Sequence, residues 1–440
     1  MSEKSAVPGG QTGLWKNLGP GILLAGTAIG VSHLVQSTRA GAVFGLGLLS
    51  VVILANVIKY PAFRFSTHYV LATGHSLLEG YRKLSPLAAW IFAIVITPIY
   101  LIGVTALSML TAGLLIALFH LPIATPTLSV IIVVAASAFV LLGHYHWLEI
   151  INKWLVLLLA VMTVITAIMV LPEVPWSFYP DTAPPISEDI VIFIVALVGY
   201  MPTTMEVSVL HSLWSVARYK EKNQEQARAH AYSDFNIGYI GTTFLAICFV
   251  IMGAGIMHSA GIAPEPAAAD FAGQLIGLYS QTLGAWAGVL AGAAALITIL
   301  TSLLTVVDGG PRSIIAAIRT AGGLPPVPED RALDRTPGFF VSVIVIGLIA
   351  ITIIMFLTAN FATFLDFGAS LAFIIAPIIA TLNHLTVFGK PLPPDLRPGT
   401  GLRVWSLIGI LTMVGIAIAY LWIRYVEALV YSFVLWISSF

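Results

Sequence analysis

Few side chains in this sequence are able to do chemistry where the chain is most apolar, and they gather in two short stretches. In residues 18–41, LGPGILLAGTAIGVSHLVQSTRAG, an apolar run breaks off at Gly30-Val31-Ser32-His33, with Gln36 about one turn beyond. In residues 192–215, IFIVALVGYMPTTMEVSVLHSLWS, the interruption falls at Gly199, Met201 and Pro202, followed by Thr203, Thr204, Glu206 and His211. Glu206 is the one carboxylate in the middle of its span, and a buried charge there costs roughly 2.5–3.5 kcal/mol even on the lenient insertion scale. His33 adds an imidazole at the first break, with the chemistry of a proton carrier or a metal ligand. Main chain unwound in hydrocarbon survives only where it lines a cavity or packs on protein. Gly30, Ser32, His33, Gln36, Met201, Thr203, Thr204 and Glu206 are therefore the candidate passenger-binding residues, with His33 and Glu206 the candidate metal ligands.

The other ionisable groups have plainer readings. Asp308 and Arg312, spaced i, i+4, suit a helix-stabilising pair. Arg39 reads as a helix-end anchor or a partner for Glu206, and Asp366 as a charge at a helix N-terminus. Lys59 and Arg64 are expected to snorkel to the interface. Thr301, Ser302 and Thr305 suit helix packing before ion coordination, and residues 86–119 contain no Asp, Glu, Lys, Arg or His.

Stepping outward to what must hold these groups, the 440 residues are 58% hydrophobic and only 9% charged, with mean hydropathy +0.97. A soluble domain carries about 25% charge, so the chain is expected to be an all-α integral membrane protein with the bilayer as its medium. Apolar windows place eleven transmembrane helices near 18–42, 45–70, 86–119, 125–143, 147–171, 189–216, 233–257, 283–313, 338–358, 362–386 and 402–424. Zero net charge suggests no nucleic-acid partner, and the single cysteine, Cys248, excludes an internal disulfide. HExxH, GxSxG, phosphate-loop and CxxC patterns are missing, so neither an enzyme nor a cofactor is expected.

A proline-rich stretch at 172–187 divides five spans from the next five. With breaks in spans 1 and 6 and an odd number of spans per half, the expectation is a five-plus-five inverted-repeat transporter fold. The repeats would cover 18–171 and 189–386, with 402–424 as an extra helix. Lys4, Arg82, Lys83, Lys153, Arg218, Lys220, Arg319, Lys390 and Arg403 fall on one side, facing the acids Glu173, Asp181, Glu188, Glu265 and Asp270 on the other. The positive-inside rule then puts the N-terminus in the cytoplasm of a cell membrane protein.

Four anchors carry a resemblance: GPG at 19–21, AGAVFG at 40–45, TGHSLLEGYR at 73–82 and LHS at 210–212. Through them the chain resembles the Nramp family of divalent-metal transporters, which implies the same fold and a divalent metal cation of the Mg2+ or Mn2+ class as passenger. Counted from GPG, the family's Asp-Pro-Gly-Asn motif falls on Gly30-Val31-Ser32-His33. Its Met-Pro-His motif falls on Met201-Pro202-Thr203 or, from the LHS anchor, on Thr204-Met205-Glu206. The acidic pair that the family uses for proton movement would fall near Val104 and Leu107 and is absent. One carboxylate with hydroxyls suits hydrated Mg2+ better than a transition metal, which wants softer ligands. The competing expectation is a small amine or amino acid carried on the same fold, its cationic group on Glu206.

Overall fold

A computed structural model describes residues 20–142, 146–177, 188–221, 224–324, 336–357 and 360–426. Gly19, most of the proline-rich stretch with Asp181, the segment 325–335, and the position of Lys4 lie outside them. Every regular element among the described residues is a helix. That is what hydrocarbon demands, because a helix satisfies its own N–H and C=O groups and an open strand does not.

The chain enters at α1 (Pro20–Ala28), turns at Ile29 and Gly30, widens into a π-turn over Val31–Ser37 and continues as α2 (Thr38–Phe44). Then come α3 (Leu49–Thr73), the short α4 (Leu77–Leu84), α5 (Pro86–Phe119), α6 (Thr125–Leu142) and α7 (His146–Val170). The second interrupted pair is α8 (Glu188–Tyr200) and α9 (Val207–Glu221), with residues 201–206 outside any helix. After them follow α10 (Gln224–Met252), α11 (Ala268–Leu283), α12 (Ala285–Ala321), α13 (Pro337–Leu357), α14 (Phe361–Phe388) and α15 (Thr400–Leu421). Nine helical segments among the described residues are long and apolar enough to cross a membrane, and the two interrupted segments are additional to these.

Local signals set the boundaries. Gly74, at φ 72°, ends α3 and returns its N–H to the Val70 carbonyl. Ser76 and Glu79 then form a capping box that starts α4, the amphipathic helix inside the TGHSLLEGYR segment. Ser85 caps α5 and Pro86 occupies its first turn, where a missing N–H costs nothing.

The two longest helices, α5 and α12, pack along each other and against α11, forming the central wall of the molecule. Around the breaks the packing relies on small residues. A Cβ on Gly41 would run into the main chain of α10 at Val250, and one on Gly253 into the Thr38 carbonyl. This close approach pins α2 against a second π-turn, Gly253–His258.

Three expectations change. The stretch after α10, read as a connection, contains α11. Asp270 and Gln274 keep its hydropathy below that of a span, while Phe271, Leu275, Leu278 and Tyr279 supply the buried face. Ser32 and His33 are not unwound, since the true irregularity is confined to Ile29 and Gly30 and both residues sit inside the π-turn. Lys59 does not snorkel: it is 0% exposed, ten residues after Leu49 and fourteen before Thr73. Arg64, by contrast, is half-buried, its guanidinium over the rings of Tyr60 and Tyr232.

Candidate functional site

Two breaks in membrane helices matter only if they meet, and these do. The Ser37 hydroxyl, at the end of the first π-turn, donates to the Met201 sulfur at 3.7 Å, and the π-turn packs against α8. The second break follows from its sequence. Pro202 has no N–H to return to the Val198 carbonyl, four residues back, so the ladder of α8 must fail there. The last regular bond runs from Met201 N to Leu197 O at 3.1 Å. Among the described residues no main-chain carbonyl receives the N–H of Thr203, Thr204 or Met205.

Glu206 closes this break and is 3% exposed. One carboxylate oxygen, Oε1, accepts the Thr204 hydroxyl. The other, Oε2, is buried without a hydrogen-bond partner among the described residues. Lys59, Tyr100 and Tyr200 all interact electrostatically with this carboxylate, so α3, α5 and α8 converge on it. Lys59 itself donates to the carbonyls of Val198 at 2.6 Å and Gly199 at 2.8 Å, across the end of α8.

The remaining candidates fall into separate groups. Met201 and Thr203 are buried beside Glu206 in the second break, and Thr204 is partly buried. Gly30 faces α12, where a Cβ on it would come to 4.0 Å from the Ser302 hydroxyl. Ser32 spends its hydroxyl on the Ala28 carbonyl. His33 is 0% exposed, with Nδ1 2.6 Å from the Ala28 carbonyl and Nε2 2.8 Å from the Thr242 carbonyl. Nδ1 also lies 2.9 Å from the Ser32 hydroxyl, and the ring, whose one N–H in the neutral form serves one of the two carbonyls, ties the π-turn to α10. Metal ligation by His33 would require it to leave these partners.

Gln36 joins a polar cluster on the α2 side of the break. It donates to Asp366 Oδ1 at 2.9 Å, while Arg39 meets both Asp366 oxygens at 2.8 and 2.9 Å and the Gln36 side-chain oxygen at 2.8 Å. Arg39 also lies over the Phe193 ring, 5.1 Å from its centroid. Arg39 is therefore the partner of Asp366, and the bidentate pair bridges α2 to α14. His211 faces Ser66 of α3, with Nδ1 2.9 Å from its hydroxyl. Asp308 and Arg312 make the expected i, i+4 pair, with Arg312 Nε 2.9 Å from each carboxylate oxygen. Thr301, Ser302 and Thr305 bond to carbonyls of their own helix.

At the junction Ser32 and Thr203 are each 6% exposed, and Thr204 is partly buried. A cleft of about 510 Å³, lined by Ile116, His120, Leu121, Glu265 and Asp270, lies at the ends of α5 and α11 and does not reach the breaks. No group of three or more His, Cys, Asp or Glu residues suited to a metal ion occurs among the described residues. Lys59, Ser37 and the Arg39–Asp366 pair were not foreseen as parts of this neighbourhood. The available signal was Lys59 itself, a lysine midway along an apolar helix, where snorkelling cannot reach water.

An all-helical membrane fold with two interrupted helices meeting at buried polar groups defines the class, a transporter of the inverted-repeat architecture. The chain belongs to the Nramp family, natural resistance-associated macrophage protein-like, whose sequence profile matches residues 21–423. A relative from Pasteurella multocida (strain Pm70), Uncharacterized protein PM0681, is 31% identical over 410 residues, covering 92% of this chain and 91% of that protein. The fold is similar to that of the Eremococcus coleocola manganese transporter, at TM-score 0.66 and 16% identity over 93% of this chain and 87% of that one. It is also similar to MhsT in complex with L-phenylalanine, at TM-score 0.63 and 15% identity, covering 91% and 98% of the two chains. Mhp1 with bromovinylhydantoin bound gives TM-score 0.54 and 14% identity, covering 92% of each.

Proposed function

We propose that this membrane transporter carries a small organic solute with a hydrogen-bearing nitrogen, an amine or an amino acid, held at the two breaks with that nitrogen on Glu206. The observation that carries the reading is Glu206 Oε2, a buried carboxylate oxygen without a donor among the described residues. Leaving such a group unpaired costs about 1–3 kcal/mol or more, and a passenger nitrogen donating to it relieves that cost. The N–H groups of Thr203, Thr204 and Met205, which reach no main-chain carbonyl among the described residues, suit the acceptor end of the same passenger. MhsT with L-phenylalanine and Mhp1 with bromovinylhydantoin are two similar folds with organic molecules bound.

A divalent metal cation is the second reading, favoured by the family and by the manganese transporter among the similar structures. The donor set favours it less. Gly30 supplies no side chain, the nitrogens of His33 face main-chain carbonyls, and Glu206 belongs to no group of three or more His, Cys, Asp or Glu residues suited to a metal ion among the described residues. In either reading the working cycle is alternating access, with the repeats 18–171 and 189–386 moving about the breaks and the N-terminus cytoplasmic. The Arg39–Asp366 bridge then closes the non-cytoplasmic side.

The test is uptake by proteoliposomes of a labelled panel of amino acids and amines, beside a Mn2+-quench assay. The reading expects saturable uptake of a panel member that Glu206→Gln abolishes, with no Mn2+ entry above protein-free vesicles. Glu206-dependent Mn2+ entry without uptake of any panel member would replace it with the metal reading.

A further inference from the structure

The carbonyls of Val198 and Gly199 form an acceptor cradle that the sequence makes unavoidable. Pro202 has no N–H for the first, and the Thr203 N–H does not return to the second. Both stand at the C-terminal end of α8, where the helix dipole places partial negative charge and favours a cation. Glu206, one of whose carboxylate oxygens has no hydrogen-bond partner among the described residues, adds a buried carboxyl group to the same neighbourhood. Two main-chain carbonyls, a helix C-terminus and a buried carboxylate together describe a place for a cation, and the cation present is the chain's own, the Lys59 ammonium at 2.6 and 2.8 Å.

We propose that Lys59 is a specificity-determining residue, a tethered cation that fills the cradle opened by the second break, balances Glu206 and so keeps free metal ions out. A fixed ammonium cannot be exchanged with solution, and a divalent ion entering beside it would meet like charge and carbonyls already bonded. What remains open is Glu206 Oε2 and the row of N–H groups, which take a passenger with both donors and acceptors. The inference deepens the organic-solute reading and rests on it only for the role of Glu206.

The experiment measures thermal stability of the purified protein in detergent with NaCl, MgCl2 or MnCl2, against choline chloride at equal ionic strength. Wild type is expected to show no cation-specific shift. Lys59→Met frees the carbonyls and leaves Glu206 unbalanced. It should melt lower and regain stability saturably with Mg2+, Mn2+ or Na+, or be recovered folded only when one of these is present. Lys59→Met with Glu206→Gln removes both charges and should fold without any cation response. A wild-type Mg2+ or Mn2+ shift that Glu206→Gln abolishes would overturn the proposal. So would a folded Lys59→Met protein indifferent to cations, or failure of both variants to fold, which would make the lysine a packing strut. Solute uptake lost in Glu206→Gln alone keeps the transport reading standing even where the Lys59 proposal fails.

Discussion

Glu206 divides its two oxygens between opposite tasks, one held by the Thr204 hydroxyl and the other without a donor among the described residues. Replacing it with Gln keeps the shape and removes the charge, so passenger affinity should fall tenfold or more, about 1.4 kcal/mol, while the protein still folds. Isothermal titration with the best solute from the uptake panel measures that difference. His33 makes the opposite expectation. Its ring sits between the Ala28 and Thr242 carbonyls and beside the Ser32 hydroxyl, its N–H donating to one of those carbonyls, so His33→Ala should cost about 1–3 kcal/mol of stability and leave solute selectivity unchanged. A melting curve beside a competition series separates the two effects. At this scale the sequence pointed to Glu206, Met201 and the threonines, because a carboxylate after a proline in an apolar run has few harmless explanations. It could not show that the His33 nitrogens face main chain on both sides, since Thr242 lies 209 residues away. Lys59 was readable in principle: its mid-helix position argues against an interface role, but the proximity of the Val198 carbonyl is a tertiary fact.

At the level of the element, each interruption has its own cause. Pro202 removes a donor from α8, whereas Gly30 gives way at a backbone angle pair, φ −123° and ψ −134°, outside the helical region. The first was legible from one residue type. The second was placed correctly but drawn too long, because apolar pattern alone cannot distinguish an unwound stretch from a π-turn that keeps its side chains buried. Helix α11 was hidden for a similar reason, as half of its surface is polar and its apolar half needs α5 and α12 to be recognised. The glycine contact between α2 and the π-turn at Gly253–His258 sets how closely the first break is held. Gly253→Leu should therefore lower thermal stability, by about 1–3 kcal/mol, because the added side chain meets the Thr38 carbonyl with no flexible neighbour to yield. Denaturation monitored by intrinsic fluorescence checks it.

Over the whole molecule, these local features join the two interrupted helices to their neighbours. The junction of the breaks is buried, and on the α2 side Gln36, Arg39 and Asp366 bridge the first interrupted helix to α14. A bidentate pair at 12% and 16% side-chain exposure is sheltered enough to bias which side is shut, yet open enough for water to replace it when it parts. Arg39→Ala should shift the population toward opening on that side. An introduced Ser37→Cys thiol should then react with a membrane-impermeant maleimide about tenfold faster than the same thiol behind an intact bridge, a shift of about 1.4 kcal/mol. The general plan, helices with paired breaks in an inverted-repeat transporter, was legible because hydrocarbon allows so few alternatives to a continuous helix. The passenger was not, because its class depends on whether a cation of the chain already occupies the cradle. The most direct measurement is the melting temperature of purified wild type and Glu206→Gln across amino acids, amines, Mg2+ and Mn2+. The account predicts that at least one nitrogen-bearing solute stabilises wild type and not the variant, with neither metal doing so. Stabilisation of wild type by Mn2+ or Mg2+, lost in Glu206→Gln and matched by no organic compound, would contradict it.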